Sequence, residues 1–505
     1  MNLLTMRVSS AAMAGLLLLA GANAAPGLAM AADHGEYNLP DLGQPADTVM
    51  TPAEEHRLGA QVVARLRSQD RIVQDPELSE YLTSVGVRLA RHTDRAADTF
   101  HFYVIDTGDI NAFALPGGYI GVNAGLIMAT KSESELASVM AHEIAHVTQR
   151  HIARQMAESR GDTIATLATA IVAAVVGAQA GGGDAATAAI MGGLSHLGMQ
   201  RISYTRAHEH EADRVGIRDL ARSGYDPHAM ARFFGTLQRQ SDLYGRHLPQ
   251  ILLTHPVSST RMAEAEARAA DYPNVKVHTN PEYPYMRART RVLEARNVDN
   301  VRNYFHAALT GDTPTPADKY GYALALHRMS RDQQAIALMR AGRKAHPDIL
   351  AWRMGLAEAL GQAGDTGAAH DVLAAALKQF PHSGALRLAY AQNLENQGKP
   401  GAMRNYLLSQ TKVLDTYPAA QALLARGAGE QNNLGEAYYR QARYFAMLDA
   451  YPEAINQLRT ALQTVDLSSY NESRLSALLD QMVTACHRAW SPTQCRRGVA
   501  QGNNY

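Results

Sequence analysis

Apolar and polar positions change rhythm several times along the chain. From about 52 to 95 the apolar residues recur at helical spacing. Phe100-His101-Phe102-Tyr103-Val104-Ile105 is dense in aromatic and β-branched residues and predicts a strand. Asn111 to Val122 continues as an extended or hairpin segment with Pro116-Gly117-Gly118 as its turn. Ser132 and Glu135 then give a capping-box-like start to a helix whose apolar side is Leu136, Val139, Met140 and Ile144. Thr163 to Gly177 is almost unbroken Ala, Val, Ile, Leu and Thr, followed by a small, Gly-rich run. That stretch, within 161–200, reads either as a buried helix hairpin or as a mobile lid over a cleft or against a membrane-embedded client.

From about 316 to 480 the chain is rich in Ala and Leu and helical throughout, and it repeats. Pro347 and Pro381 are 34 residues apart, and Pro418 follows 37 later. Between the first two, Trp352, Leu356 and Leu360 form one stripe, Gly361 and Gly364 mark a turn, and Ala368, Val372, Leu373 and Ala376 form a second stripe. Helix-turn-helix units of about 34 residues ending in Pro are the tetratricopeptide pattern, here with about four units. Such arrays commonly present a concave surface to protein partners. The expected organisation is a first domain over 50–275, a connector over 276–315, the repeats over 316–480 and a tail over 481–505.

The N-terminus alters the expected compartment. Arg7, the apolar run Ala11 to Ala20, and the sites Ala22-Asn23-Ala24 and Ala29-Met30-Ala31 form a secretory signal pattern over 1–31, with cleavage expected after about 24 or 31. Ten apolar residues are short for a membrane span. Two cysteines, Cys486 and Cys495, are compatible with one local disulfide in an exported chain and too few for a cysteine metal site. Lys+Arg and Asp+Glu both number 48, so the balanced charge carries no footprint of nucleic-acid binding. With 505 residues, more than one domain is expected.

The candidate chemistry centres on His142-Glu143-Ile144-Ala145-His146. On a helix, His142 and His146 lie on one face and can bind one zinc ion, while Glu143 can reach water rather than the metal. A catalytic zinc requires a third protein ligand. Glu209 fits best, because Asp213 lies one turn on and can accept the second N–H of a ligating histidine. His208 and His210 are alternatives without a supporting carboxylate in register. His151 falls half a turn round a continuous helix from His142 and reads as structural.

These pieces together resemble the HtpX-like and CAAX-prenyl-protease-like family of zinc metallopeptidases, which are gluzincins. Within it they resemble the periplasmic subgroup of β-barrel assembly-enhancing proteases. The resemblance rests on Asn111-Ala112-Phe113-Ala114-Leu115-Pro116-Gly117-Gly118, on His142 to His146, on Arg206, Glu209 to Asp213 and Gly216, and on His255-Pro256 with Arg261. Thr205 stands where that family commonly has Ser. The resemblance implies a mainly α fold: a gluzincin-type α+β peptidase domain with a small sheet, followed by an α-solenoid of repeats. It implies one zinc ion on His142, His146 and Glu209, Glu143 as base, Asp213 behind the ligands, and Asn111, Ala112, Phe113 and Ala114 as the strand that pairs with substrate. His255 and Arg261 are expected either to stabilise an oxyanion or, for His255, to close the site as a fourth ligand. The implied work is endopeptidase quality control of misfolded or stalled outer-membrane proteins, with the repeats binding the β-barrel assembly machinery. No nucleic acid and no transmembrane span are expected, and a peripheral membrane contact is left open. Two alternatives stand beside it: a repeat-based chaperone or adaptor whose zinc site is mostly closed, and a secreted peptidase of broad specificity.

Overall fold

The computed structural model describes residues 50–95, 99–158, 204–244, 249–464, 466–489 and 495. The export-signal pattern of 1–31 and the apolar stretch 161–200 lie outside these residues. The described residues belong to one compact unit.

Local sequence sets the first elements. Helix α1 (Pro52–Ser68) starts at a full capping box between Thr51 and Glu54, with Pro at its first turn. Helix α2 (Pro76–Ala90) is capped by Asp75, which accepts the Leu78 N–H at 2.8 Å. Three strands follow: β1 (His101–Ile105), β2 (Ala112–Leu115) and β3 (Tyr119–Asn123). Their order is β1-β3-β2, with β1 parallel and β2 antiparallel to β3. The tight turn between β2 and β3 uses Gly117 and Gly118 at φ of 79° and 87°, a region that side chains disfavour. β2 therefore lies at one edge of the sheet, with β1 at the other.

The edge strand packs against the helix of the His-Glu-x-x-His motif. After the short α3 (Ala124–Ala129), α4 (Glu133–Thr148) begins at Ser132, whose hydroxyl accepts the Glu135 N–H. Glu135 reaches back one residue further than a strict capping box, to the N–H of Lys131 at 2.7 Å. Nearly every residue of α4 is buried, so this helix is the spine of the domain. It is followed by α5 (His151–Glu158) and, beyond 203, by α6 (Arg206–Arg222), α7 (Ala229–Tyr244), α8 (Gln250–Thr254) and α9 (Ser259–Ala269). Gly216 lets α6 lie directly on α4: a Cβ there would sit 3.2 Å from the backbone of Ala141 and His142. Among the described residues no helix is long and apolar enough to cross a membrane.

The connector is itself helical. Tyr283–Glu294 and Val298–Thr310 form two helices, and Tyr283, Tyr285, Met286 and Val292 carry the apolar core from the peptidase region into the helices that follow. Helix pairs then run from Pro316–Arg328 to Ser469–Ala489. Trp352, Leu356 and Leu360 are buried, as the stripe implied; on the next helix Ala369, rather than Ala368, takes the fully buried place. The helical region touches the peptidase region at several separated points. Glu80 caps the helix Gly384–Asn396 by accepting the N–H groups of Gly384 and Ala385 at 2.7 and 3.0 Å. Arg289 pairs with Asp75 and Glu358 at 2.7 Å each. Near the end of the chain, Arg57 and Arg67 of α1 donate to the carbonyls of Arg488 and Leu448 at 3.0 Å. Cys486 and Cys495 are bridged and buried beside Ile455. The helix Ser469–Ala489 runs through position 480, so the expected tail begins inside a packed helix.

Candidate metal centre

Helices α4, α6 and the end of α8 bring four buried donors together. The ligand atoms of His142, His146, Glu209 and His255 all lie within 4.8 Å of one another. His142 Nε2 is 3.0 Å from His146 Nε2, 3.6 Å from Glu209 Oε2 and 3.3 Å from His255 Nδ1. Glu209 Oε1 is 3.5 Å from His146 Nε2 and 2.8 Å from His255 Nδ1. The i, i+4 spacing on α4 aligns the two histidines, and the N-cap of α6 aims Glu209. Thr205 is that cap, accepting the His208 N–H at 3.2 Å, a task that either hydroxyl residue performs.

The outer support of the donors is charged and dry. Asp213 Oδ1 lies 3.0 Å from His142 Nδ1, as its position one turn from Glu209 suggested. Arg261, only 3% exposed, grips both Asp213 oxygens at 2.7 and 2.8 Å and reaches Glu209 Oε2 at 2.7 Å. The guanidinium thus faces the carboxylates behind the donors, and its contacts are those of a positioning group. Burial opposes ionisation of Glu209 and Asp213. Histidine contacts for the first, and Arg261 with His142 for the second, outweigh burial and hold both below the usual carboxylate range. For His142, too, burial is overcome, here by Asp213 and Glu209, and its pKa is pushed up to about 10. His146 falls well below its ordinary value through burial and the neighbouring charge on His142. The carboxylates therefore favour positive charge at the centre of the cluster.

A zinc ion fits that demand. Five donor separations fall between 2.8 and 3.6 Å and all four ligand atoms lie within 4.8 Å, near the roughly 3.3 Å edge of a tetrahedron with zinc–donor bonds of about 2.0 Å. Both imidazoles keep Nδ1 on an outer partner, so with a cation bound each would carry its hydrogen on Nδ1 and offer the Nε2 lone pair to the ion.

Glu143 is fully buried beside the cluster, and neither carboxylate oxygen has a hydrogen-bond partner among the described residues. His255 Nε2 is 3.6 Å from it. A narrow cleft of about 20 Å³ joins the cluster to the edge strand, lined by Ala114, Leu115, Pro116 and Gly117 together with His146 and Tyr204. Ser138, Val139, Phe233, Phe234 and Leu237 line a second small, apolar cavity of about 20 Å³ that reaches His142 and His255.

The alternative ligands are placed elsewhere. His208 stacks on His151 at 4.5 Å, and His210 pairs with Glu264 at 2.9 Å. His151 lies against His146, its Nδ1 2.8 Å from that ring's Nδ1. Burial and the adjacent His208 push the His151 pKa down to about 4. Tyr204, for which the sequence suggested no role, stacks on His146 at a centroid distance of 3.8 Å. Its one sequence signal is its place just before the Thr205 cap, where an apolar group commonly packs back onto the helix.

A His-Glu-x-x-His helix, a glutamate from a second helix and an edge strand beside them define a metallopeptidase. The description of peptidase family M48 matches residues 76–269. The β-barrel assembly-enhancing protease of Escherichia coli K12 is 39% identical over 269 residues, 53% of this chain and 53% of its own length. A Vibrio cholerae relative that carries the same name provisionally is 37% identical over 331 residues, 64% of this chain and 67% of its own length. The mitochondrial metalloendopeptidase OMA1 of Schizosaccharomyces pombe is 29% identical over 189 residues, 37% of this chain and 51% of that one. The chain belongs to peptidase family M48. It spans about half the length of the Escherichia coli relative and two thirds of the Vibrio one.

Proposed function

We propose that this chain is a zinc endopeptidase of the periplasm that acts on outer-membrane β-barrel proteins during their assembly and quality control. The observation that carries the peptidase chemistry is the buried cluster of His142, His146 and Glu209 with an unpartnered Glu143 beside it. The compartment rests on the export pattern of residues 1–31, and the client class on the names of the relatives. The helix pairs from 316 onward serve as tetratricopeptide repeats that bring clients or the assembly machinery to the site.

His142, His146 and Glu209 hold the zinc ion. A zinc ion there supplies Lewis-acid chemistry, acidifying water and polarising a peptide carbonyl. Substrate lies extended along the free edge of β2, over Asn111, Ala112, Phe113 and Ala114, so that backbone pairing sets the scissile bond beside Glu143. Glu143 takes the proton of the attacking water and passes it to the leaving amine; no other hydrogen bond competes for its oxygens. Asp213 fixes His142, and Arg261 fixes Asp213 and Glu209 in turn. Glu143→Gln tests this reading: it should retain zinc and fold and lower peptide hydrolysis by about 10³-fold. Hydrolysis within tenfold of the parent would overturn the assignment of the base.

His255 favours a second reading, in which the site is closed much of the time and the repeats act as a chaperone or adaptor. With Nδ1 2.8 Å from Glu209 Oε1, His255 supplies a fourth donor, and a zinc site with four protein ligands is inert. His255→Ala should raise resting activity if the residue closes the site, and lower it if the residue assists the oxyanion. No change in activity or in zinc coordination would remove it from both roles. A client-folding phenotype that survives Glu143→Gln would favour the chaperone role.

A further inference from the structure

The two helix histidines are supported differently. His142 has a carboxylate behind it, Asp213, whereas among the described residues none stands behind His146. Its Nδ1 faces the Nδ1 of His151 at 2.8 Å. His151 Nε2 in turn lies 3.3 Å from Glu211 Oε2, and Arg154 holds that same oxygen at 2.8 Å. His151 is fully buried, stacked on the His208 ring at 4.5 Å with 15° between the planes.

This placement requires a broken helix. Five residues beyond His146, a continuous α-helix would turn His151 roughly 140° away from it. Instead α4 ends at Thr148, and Arg150 adopts a left-handed φ of 52°. A non-glycine residue holds that conformation only when its surroundings enforce it. Here its side chain is anchored twice, to Glu55 Oε1 at 3.0 Å and to the Met50 carbonyl at 2.7 Å. α5 then restarts at His151 and returns the ring to His146.

We propose that His151 is the positioning residue of the metal ligand His146, through a hydrogen-bond chain His146–His151–Glu211, and that the left-handed Arg150 exists to place it. The proton placement follows from the chemistry of imidazole. If His146 gives its Nε2 lone pair to a metal, its hydrogen sits on Nδ1 and is donated to His151 Nδ1. The accepting His151 then carries its own hydrogen on Nε2 and donates it to Glu211. Every ring nitrogen in the chain has one role, so the tautomer and the ring angle of His146 are set together. The support is a neutral imidazole where His142 has an ionised carboxylate, so the two ligands differ in basicity, with His142 the stronger donor. This inference rests on the reading that the cluster binds a metal.

The test measures zinc affinity by chelator competition, the visible absorption of the cobalt-loaded protein, and the unfolding temperature of the metal-free protein. It compares the parent chain with His151→Ala, His151→Asn and Glu211→Gln. His151→Ala should weaken zinc binding by about 10- to 100-fold and change the cobalt spectrum. His151→Asn offers an amide oxygen close to the place of Nδ1 and should recover most of the affinity. Glu211→Gln should lose only a few-fold, about threefold. Zinc affinity within twofold of the parent in His151→Ala, with an unchanged cobalt spectrum, would overturn the proposal. So would equal losses in the Ala and Asn variants that track the unfolding temperature of the metal-free protein, since that outcome assigns a packing role. Should His151→Ala fail to fold, His151→Phe, which keeps the ring volume and the stack on His208 but cannot accept a hydrogen bond, takes its place under the same limits. Failure of the parent chain itself to bind zinc would instead overturn the metal reading of the cluster.

Discussion

The metal cluster and the helical region after 316 are both buried, but they are held by opposite means. Around His142, Glu209 and Asp213, burial is made tolerable by charge: Arg261 and the histidines neutralise carboxylates that are only a few per cent exposed. Around Trp352, burial is apolar and depends on shape. Its ring fills the space above Gly342, where a Cβ would come within 2.3 Å, and it meets Tyr285 and Tyr320 edge-on. A charged network orients its members tightly, because a misplaced charge in a dry site is costly. An apolar array tolerates change more evenly, because area and volume carry its energy. The candidate reacting groups sit in the first environment and the helix pairs after 316 in the second.

This contrast can be broken by substitution. Arg261→Ala should have the largest effect, since it leaves Asp213 and Glu209 buried with less countercharge. A loss of about 3–5 kcal/mol in unfolding free energy is expected together with collapse of zinc affinity. Denaturant unfolding and metal titration would check it; a variant losing activity alone would mean that Arg261 faces substrate. Trp352→Ala should cost a similar 3–5 kcal/mol, yet leave activity per folded molecule nearly unchanged. A fall in kcat matching the fall in stability would show that the two regions are coupled. Gly216→Ala should be milder, about 1–2 kcal/mol, because the added methyl presses on the backbone of Ala141 and His142. Here activity should fall by more than stability, which kinetics at low temperature would reveal.

The smallest effect concerns pH. Burial raises the Glu282 carboxyl from 4.5 to about 7, although it accepts the N–H groups of Leu350 and Ala351. A raised folded pKa means that its contribution to stability is complete below about 4.5 and is lost as pH rises through about 7. Glu282→Gln should therefore flatten the dependence of Tm on pH across that window. An unchanged profile would assign the dependence to other groups.

What could be read from the chain was local. His142 with His146, and Glu209 with Asp213, are one-turn pairs, and helical periodicity places each pair on one face wherever the helix lies. The Pro116-Gly117-Gly118 turn and the Ser132 cap were readable for the same reason. His151 was harder. Spacing along a continuous helix puts it out of reach of the site, and only the left-handed Arg150, anchored by Glu55 and Met50 from the other end of the domain, brings it back. Arg261 was legible as part of the site but not in its contacts, since the choice between open cleft and buried carboxylate depends on how α9 packs against α6.

The sequence by itself determined the chemistry on offer: a metallopeptidase helix, a third ligand with its supporting aspartate, an edge strand and a helical region behind them. These follow from residue type and short-range spacing, which act through a few backbone dihedrals. The tertiary structure alone decided that His255 enters the donor cluster, that Arg261 turns inward, that His146 is held by His151, and that peptidase region and helices share one continuous core. Those outcomes depend on contacts between residues far apart in the chain. Burial, which sets the strength of every charge in the site, exists only once the whole fold has excluded water.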